Sequence, residues 1–327
     1  MTPDEVRDFG RHFSSSPLYQ HLIRYLAGEP ALMETVNRIA HVPQVNLLLG
    51  AVHYLLLARH RDSELARFYA TLSVEPDDPT SAGPYFADFV MANADDIVEL
   101  GSTRYTQTNE VRRCTTLVPG IAAAVDERPF HLLDIGTSAG LTLAFDRYRY
   151  RWDGVSWGSG DLILDCELRG GHPQLPERFD VMSRHGLDLN IVDPADHDDR
   201  RWLQALVWPE HRDRFLRLER ALDIAAGVWI ERIEGDALET LPQVIDSLPP
   251  GDEVVVMHSY AVNQFDSPAR QRLNAILDKA RAGRPLHRVG LEYWTEGHPW
   301  AELRIDDGVE ERSLAWAHPH GEWLDLA

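Results

Sequence analysis

The sequence predicts an α/β protein: a mostly parallel sheet closed by an antiparallel hairpin, with an all-helical segment ahead of it. Three observations carry this reading. Phe130-His131-Leu132-Leu133-Asp134-Ile135 reads as a buried parallel strand that ends in the turn Gly136-Thr137-Ser138-Ala139-Gly140. Beyond that turn, apolar runs of strand length alternate with helical stretches, the pattern of strands joined by crossover helices. Before residue 125 the apolar spacing is helical throughout, with no convincing strand.

In the leading segment, Leu18, Leu22, Tyr25 and Leu26, and later Leu47 to Leu49, Val52 and Leu55 to Leu57, recur at helical spacing. Gly28-Glu29-Pro30, Pro43 and the stretch 75–84 break the pattern. Residues 106–113 open a helix expected to stop near Pro119-Gly120. Residues 141–145 are expected to continue the glycine turn as a helix. Residues 148–152 and 162–168 suit two arms of a hairpin, and 179–189 a further strand. Residues 199–226 read as helices interrupted near Pro209. Strands follow at 228–236, 253–258 and 287–294, with a helix over 268–282. Residues 300–305 and 312–317, joined by Asp306-Asp307-Gly308, predict the terminal hairpin. The expected organisation is a helical N-terminal cap over 1–125 and a core over 126–327, with an insertion at about 150–225.

Composition narrows the function classes. Apolar content of 44% and charged content of 26% over 327 residues are ordinary for a soluble globular chain. No apolar run approaches the roughly 18 residues that span a bilayer, and no secretory pattern opens the chain, so the cytoplasm is expected. The net charge of −20 opposes nucleic acid and anionic membranes and favours a small-molecule substrate. Lys279 is the one lysine among 32 basic residues, so an anion-binding group would be a guanidinium. Cys114 and Cys166 are too few for a disulfide framework or a zinc site. Among the histidines only His318-Pro319-His320 is closely paired, and no metal is expected. The choice between monomer and homodimer stays open.

The glycine turn and the strand-end acids suggest a pocket for S-adenosylmethionine, with S-adenosylhomocysteine as product. Such a pocket needs a turn that lets the ligand approach the backbone, an acid for the ribose hydroxyls and a polar contact for adenine. Asp134, Gly136, Thr137, Ser138 and Gly140 supply the turn, and Asp236 with Ala237 the adenine side. Asp188 is the expected ribose acid, with Asp165 as the alternative. This architecture matches the Rossmann-like class I methyltransferase sheet. After the strand at 253–258, His258 is the candidate general base, with Tyr260 and Asn263 orienting substrate and Gln264 beside them. Asn109, Glu110 and Arg113 lie just ahead of the first core strand and are candidates for gripping substrate. A competing reading takes Gly136-Thr137-Ser138-Ala139-Gly140 as a G-x-S-x-G hydrolase elbow, with Ser138 as nucleophile and His258 or His318 as its base. A third is a cofactor-binding protein without turnover. The spacing G-x-G-x-x-G of a dinucleotide site is absent.

Several segments together resemble an uncharacterised bacterial family, domain of unknown function 2332. They are Ser16-Pro17-Leu18-Tyr19, Ala51-Val52-His53-Tyr54, Thr108-Asn109-Glu110-Val111, the glycine turn with Leu141, and Asp146-Arg147-Tyr148-Arg149-Tyr150. Arg184-His185-Gly186-Leu187-Asp188, Val207-Trp208-Pro209-Glu210, Gly235-Asp236-Ala237 and His258-Ser259 continue the series. The resemblance covers nearly the whole chain and implies a relation to Rossmann-like methyltransferases behind a helical extension. It also implies a proline two residues after Asp188, where this chain has Asn190.

Overall fold

Apolar strand runs separated by helices build one mixed sheet, and the remaining helices form a separate bundle. The computed structural model describes residues 1–125, 127–295 and 297–326. First come α1 (Pro3–Phe9), α2 (Pro17–Leu26), α3 (Pro30–Arg38), α4 (Gln44–Arg59), α5 (Gly83–Ala92) and α6 (Ala94–Thr103). Next are α7 (Cys114–Val125), β1 (Phe130–Ile135), β2 (Arg149–Trp152), β3 (Val155–Trp157), β4 (Ile163–Leu168) and β5 (Val181–Asp188). Helices α8 (His197–Ala205) and α9 (Arg212–Ala226) precede β6 (Glu231–Glu234). Then α10 (Ala237–Ser247) leads to β7 (Glu253–Ser259), and α11 (Ser267–Arg281) to β8 (Leu286–Glu292). β9 (Ala301–Asp306), β10 (Glu311–Ala317) and β11 (Trp323–Leu326) finish the chain. No helix among the described residues is long and apolar enough to cross a membrane.

The chain divides into two units. One holds Met1–Thr108 with Ala195–Glu219, the other Asn109–Pro194 with Arg220–Ala327. The sequence pattern predicts a boundary at 125. In the structure α7 instead packs on β7, β8 and β9 and belongs with the sheet, whereas 195–219, expected within the core, group with the leading helices. At the centre of the helical unit lies α4, buried at most positions from Val45 through Leu57, as its largely apolar sequence requires. Two of the family-like segments meet here: Glu210 accepts hydrogen bonds from the Ser16 hydroxyl at 2.5 Å and from the Leu18 N–H at 2.8 Å.

In the other unit, one sheet of 11 strands has the order β3-β2-β4-β11-β10-β9-β8-β7-β1-β5-β6. It is mostly parallel: β6, β5, β1, β7 and β8 run together, and β8, β9, β10 and β11 follow as an antiparallel meander. Leu133, Ile135, Val254 and Val256 join α10 and α11 in one core, and α7 covers the other face. After β1 the chain lays down β2, β3 and β4 at the far edge of the sheet, then adds β5 and β6 on one side of β1 and returns to place β7 on its other side. Ligands of open parallel sheets bind outside the strands' carboxyl ends where the order reverses in this way, here between β1 and β7.

Three local expectations are corrected. The helix expected to stop near Pro119 runs on to Val125. A proline inside a helix removes one N–H and strands the carbonyl four residues back. Here that carbonyl, on Thr115, accepts the Trp152 indole N–H at 3.0 Å instead. The helix expected at 141–145 is a 3-10 turn over Thr142–Arg147, kinked at Ala144. Hydroxyls of Tyr148 and Tyr150 donate to the carbonyls of Leu141 and Phe145 at 2.7 and 2.6 Å, and so occupy acceptors that a longer helix would use. Finally, β2 pairs in parallel with β4, while its hairpin partner is β3 across Asp153-Gly154, both residues at positive φ. Asp-Gly is a preferred two-residue hairpin turn.

Candidate functional site

The turn after β1 holds its shape through backbone contacts to β5. N–H groups of Gly136 and Thr137 both donate to the Leu187 carbonyl, at 2.8 and 3.3 Å. Gly136, Ser138 and Gly140 have φ of +81°, +49° and +79°. A side chain on Gly136 would place a Cβ 2.6 Å from the Ala261 Cβ, so glycine lets this turn abut the loop after β7. Asp188, at the end of β5, accepts the Ser138 N–H at 2.8 Å and the Asn190 N–H at 2.9 Å. A proline at position 190 would have no N–H to give, so the departure from the family pattern supplies one of these bonds. Burial raises the Asp188 pKa, opposed by the N–H groups of Asn190 and Ser138.

Beneath the turn, Asp134 is 4% exposed and accepts the Thr142 hydroxyl. Burial lifts its pKa to about 7, against the pull of its hydroxyl partners. Asn109 donates to the Ser138 hydroxyl oxygen at 3.0 Å. Glu110, also buried, accepts the Arg112 N–H. Arg113 donates to the Pro319 carbonyl at 3.1 Å and lies 4.2 Å over the Tyr260 ring. Thus Asn109, Arg113, Asp134, residues 136–140, Asp188 and Tyr260 come together at the carboxyl ends of β1, β5 and β7.

Other expected residues land elsewhere. Asp165 lies on β4, with five strands between it and β1, and forms a bidentate ion pair with Arg151 at 2.5 and 2.9 Å. It is therefore not the ribose acid of this site. Asp236 stands exposed beyond the end of β6 and caps α10 by accepting the Leu238 N–H, with Ala237 as the first helical residue. Gln264 is exposed and donates to the Tyr260 carbonyl.

The expected role of His258 as general base is corrected by its surroundings. Its side chain is 0% exposed. Nδ1 lies 2.6 Å from Glu292 Oε1, and Nε2 receives the Arg288 Nε–H at 3.0 Å. This fixes a neutral ring that donates through Nδ1 and accepts through Nε2. Burial also lowers its pKa, and neither nitrogen remains for a substrate proton. A Cβ on Gly290 would come within 2.6 Å of His258 Cε1, so the glycine on β8 is what gives the imidazole its space.

Glu292, which the sequence reading took as an ordinary strand residue, organises the neighbouring loop. Its carboxylate accepts the N–H groups of Ala261, Val262 and Asn263 at 3.1, 3.0 and 3.2 Å. The available signal was a carboxylate at the end of an otherwise apolar strand. Tyr260 adopts φ +58°, and its buried hydroxyl has no hydrogen-bond partner of good geometry among the described residues. Burial raises that phenol well above its ordinary pKa, so it can donate but not act as a base.

A large, mostly parallel sheet flanked by helices makes this a mixed α/β protein, with a glycine turn and strand-end carboxyls where the strand order reverses. The chain belongs to the family described as uncharacterized protein conserved in bacteria (DUF2332), which matches residues 4–326. No curated protein and no solved structure matches it.

Proposed function

We propose that this protein binds S-adenosylmethionine at the carboxyl ends of β1, β5, β6 and β7 and transfers its methyl group to O or N of a small metabolite. One observation carries the reading. Three neighbouring parallel strands, β1, β5 and β6, end in or just before acids (Asp134, Asp188 and Asp236), and the left-handed glycine turn sits among them.

The residues present fit such a nucleoside. Both Asp188 oxygens accept backbone N–H groups, from Ser138 and Asn190, and a carboxylate has further acceptor sites for a ribose hydroxyl. Asp236 is exposed, with one oxygen on its helix cap. The Tyr260 hydroxyl, which has no hydrogen-bond partner of good geometry among the described residues, offers a donor to a polar ligand. The bound cofactor would supply an activated methyl group. Because His258 is sealed away, the chain contributes by holding the reactants in line and excluding water, and the acceptor arrives in its nucleophilic form.

Isothermal titration with S-adenosylmethionine and S-adenosylhomocysteine tests the proposal. Binding is expected with both, weakened by about 1–3 kcal/mol in Asp188→Ala or Asp236→Ala through loss of a hydrogen bond. Binding without methyl transfer across a metabolite panel would favour a carrier without turnover. The left-handed Ser138 in its G-x-S-x-G turn keeps the hydrolase reading testable. Its hydroxyl oxygen is bonded by Asn109, and no histidine hydrogen-bonds to it among the described residues. Labelling of Ser138 by a fluorophosphonate, with no nucleoside bound, would reverse the ranking.

A further inference from the structure

The loop after β7 is built around a group that no strand-end motif announces. Four donors converge on the Glu292 carboxylate: the His258 ring and three consecutive amides, Ala261 to Asn263. Glu292 is itself 0% exposed. Behind it, Arg288 donates to His258 and to Asn274 Oδ1, both at 3.0 Å, and lies 4.8 Å over the Trp294 ring. A buried carboxylate persists in an apolar interior when its acceptor sites are filled and a cation lies close, and this one meets both conditions.

What Glu292 holds is the wall of the site. Ala261, anchored through its N–H, presses its methyl group against Gly136, the first residue of the glycine turn. Tyr260, immediately before it, keeps a left-handed backbone that a tyrosine rarely adopts unaided. Strain of this kind lasts only where surrounding bonds determine the conformation. The three amide bonds to Glu292 and the Arg113 guanidinium over the Tyr260 ring do so here.

We propose that Glu292 is the positioning residue of this site, its carboxylate fixing Ser259–Asn263 against the glycine turn in the shape that ligand binding requires. The ligand half of the proposal rests on the nucleoside reading above. Glu292 touches no reacting atom. It acts through Ala261 and Tyr260, and His258 is one of its supports.

Glu292→Gln is close in size, keeps one acceptor oxygen and points a new donor toward groups that already donate. Leu277→Ala, which opens a cavity under α11 in the same core and removes none of the loop's hydrogen bonds, is the stability control. In Glu292→Gln, hydrogen exchange at the amides of Ala261, Val262 and Asn263 is expected to quicken at least tenfold relative to Leu277→Ala. Affinity for S-adenosylhomocysteine is expected to fall at least fivefold, while Leu277→Ala binds like the parent protein. Exchange no faster than in the control overturns the proposal, as does faster exchange with unchanged affinity. If Glu292→Gln does not fold, Ala261→Gly keeps the amide bonds and removes the methyl that meets Gly136. A drop in affinity then supports the coupling, and parental affinity overturns it. A parent protein that takes up no S-adenosylhomocysteine defeats the nucleoside reading instead, and the exchange comparison still decides whether Glu292 holds the loop.

Discussion

Asp134 lies under the glycine turn with one oxygen taken by the Thr142 hydroxyl, and burial lifts its pKa to about 7 from an ordinary value of 3.8. Between those values the folded chain holds a proton that the unfolded chain has released. Stability should therefore fall as pH rises from about 4 to 7 and level off above that. Asp134→Asn, which stays neutral, should flatten this part of the profile. At pH 8 it is expected to gain up to roughly 4 kcal/mol over the parent, the free-energy equivalent of that pKa difference. Denaturant melts at pH 4 and 8 check both the slope and its disappearance. Tyr260 gives a second expectation. Its buried hydroxyl lacks a good partner, so Tyr260→Phe should leave stability unchanged or raise it by about 1 kcal/mol. A loss of more than 1 kcal/mol in the same melts would mean that the hydroxyl is satisfied in the free protein. At this scale the sequence showed which side chains have useful chemistry but not their partners. His258 carries a general base's chemistry, and only its contacts with Arg288 and Glu292 close both nitrogens.

Among the elements, α7 shows how a distant residue decides a local outcome. Pro119 signals a helix end, yet the helix continues because the Trp152 indole, from β2, serves the carbonyl that proline strands. Trp152→Phe removes that donor from a fully buried site and leaves a small gap. It is expected to cost about 2–4 kcal/mol in thermal or denaturant melts, from the unsatisfied carbonyl and the lost packing together. A cost below 1 kcal/mol would show that the bond does not sustain the helix. Gly290→Ala tests the sheet in the same way. Its Cβ would collide with His258 Cε1 and the Trp294 ring, and overpacking of about 1–3 kcal/mol is expected. Residues 148–152 and 162–168 both have strand character and suit a hairpin, yet the strand that turns back on β2 is the short β3, across Asp153-Gly154. Pairing partners depend on the register of the whole sheet, which no local window contains.

Over the whole molecule, two units form from a chain that passes from the helical unit into the sheet, back at 195 and out again at 219. Glu210 belongs to the returning segment, and its bonds to Ser16 and Leu18 join parts of the helical unit 192 residues or more apart. Glu210→Ala should destabilise that unit by about 2–3 kcal/mol, since it leaves the Leu18 N–H and the Ser16 hydroxyl without their acceptor. Amide exchange is expected to quicken in α2 before it does in β1 or β7. Equal quickening in both units would contradict that order.

The α/β class, the central strands, the glycine turn and the terminal hairpin are legible in the sequence, because they follow from periodicity and from residues whose backbone preferences act locally. Only tertiary contacts reveal that 195–219 join the leading helices, that five strands separate Asp165 from β1 and its turn, that His258 is enclosed and that Glu292 secures the neighbouring loop. Such facts depend on which distant groups meet. A carboxylate or an imidazole acquires its role from burial and from hydrogen-bond partners that arrive only when the sheet closes around it.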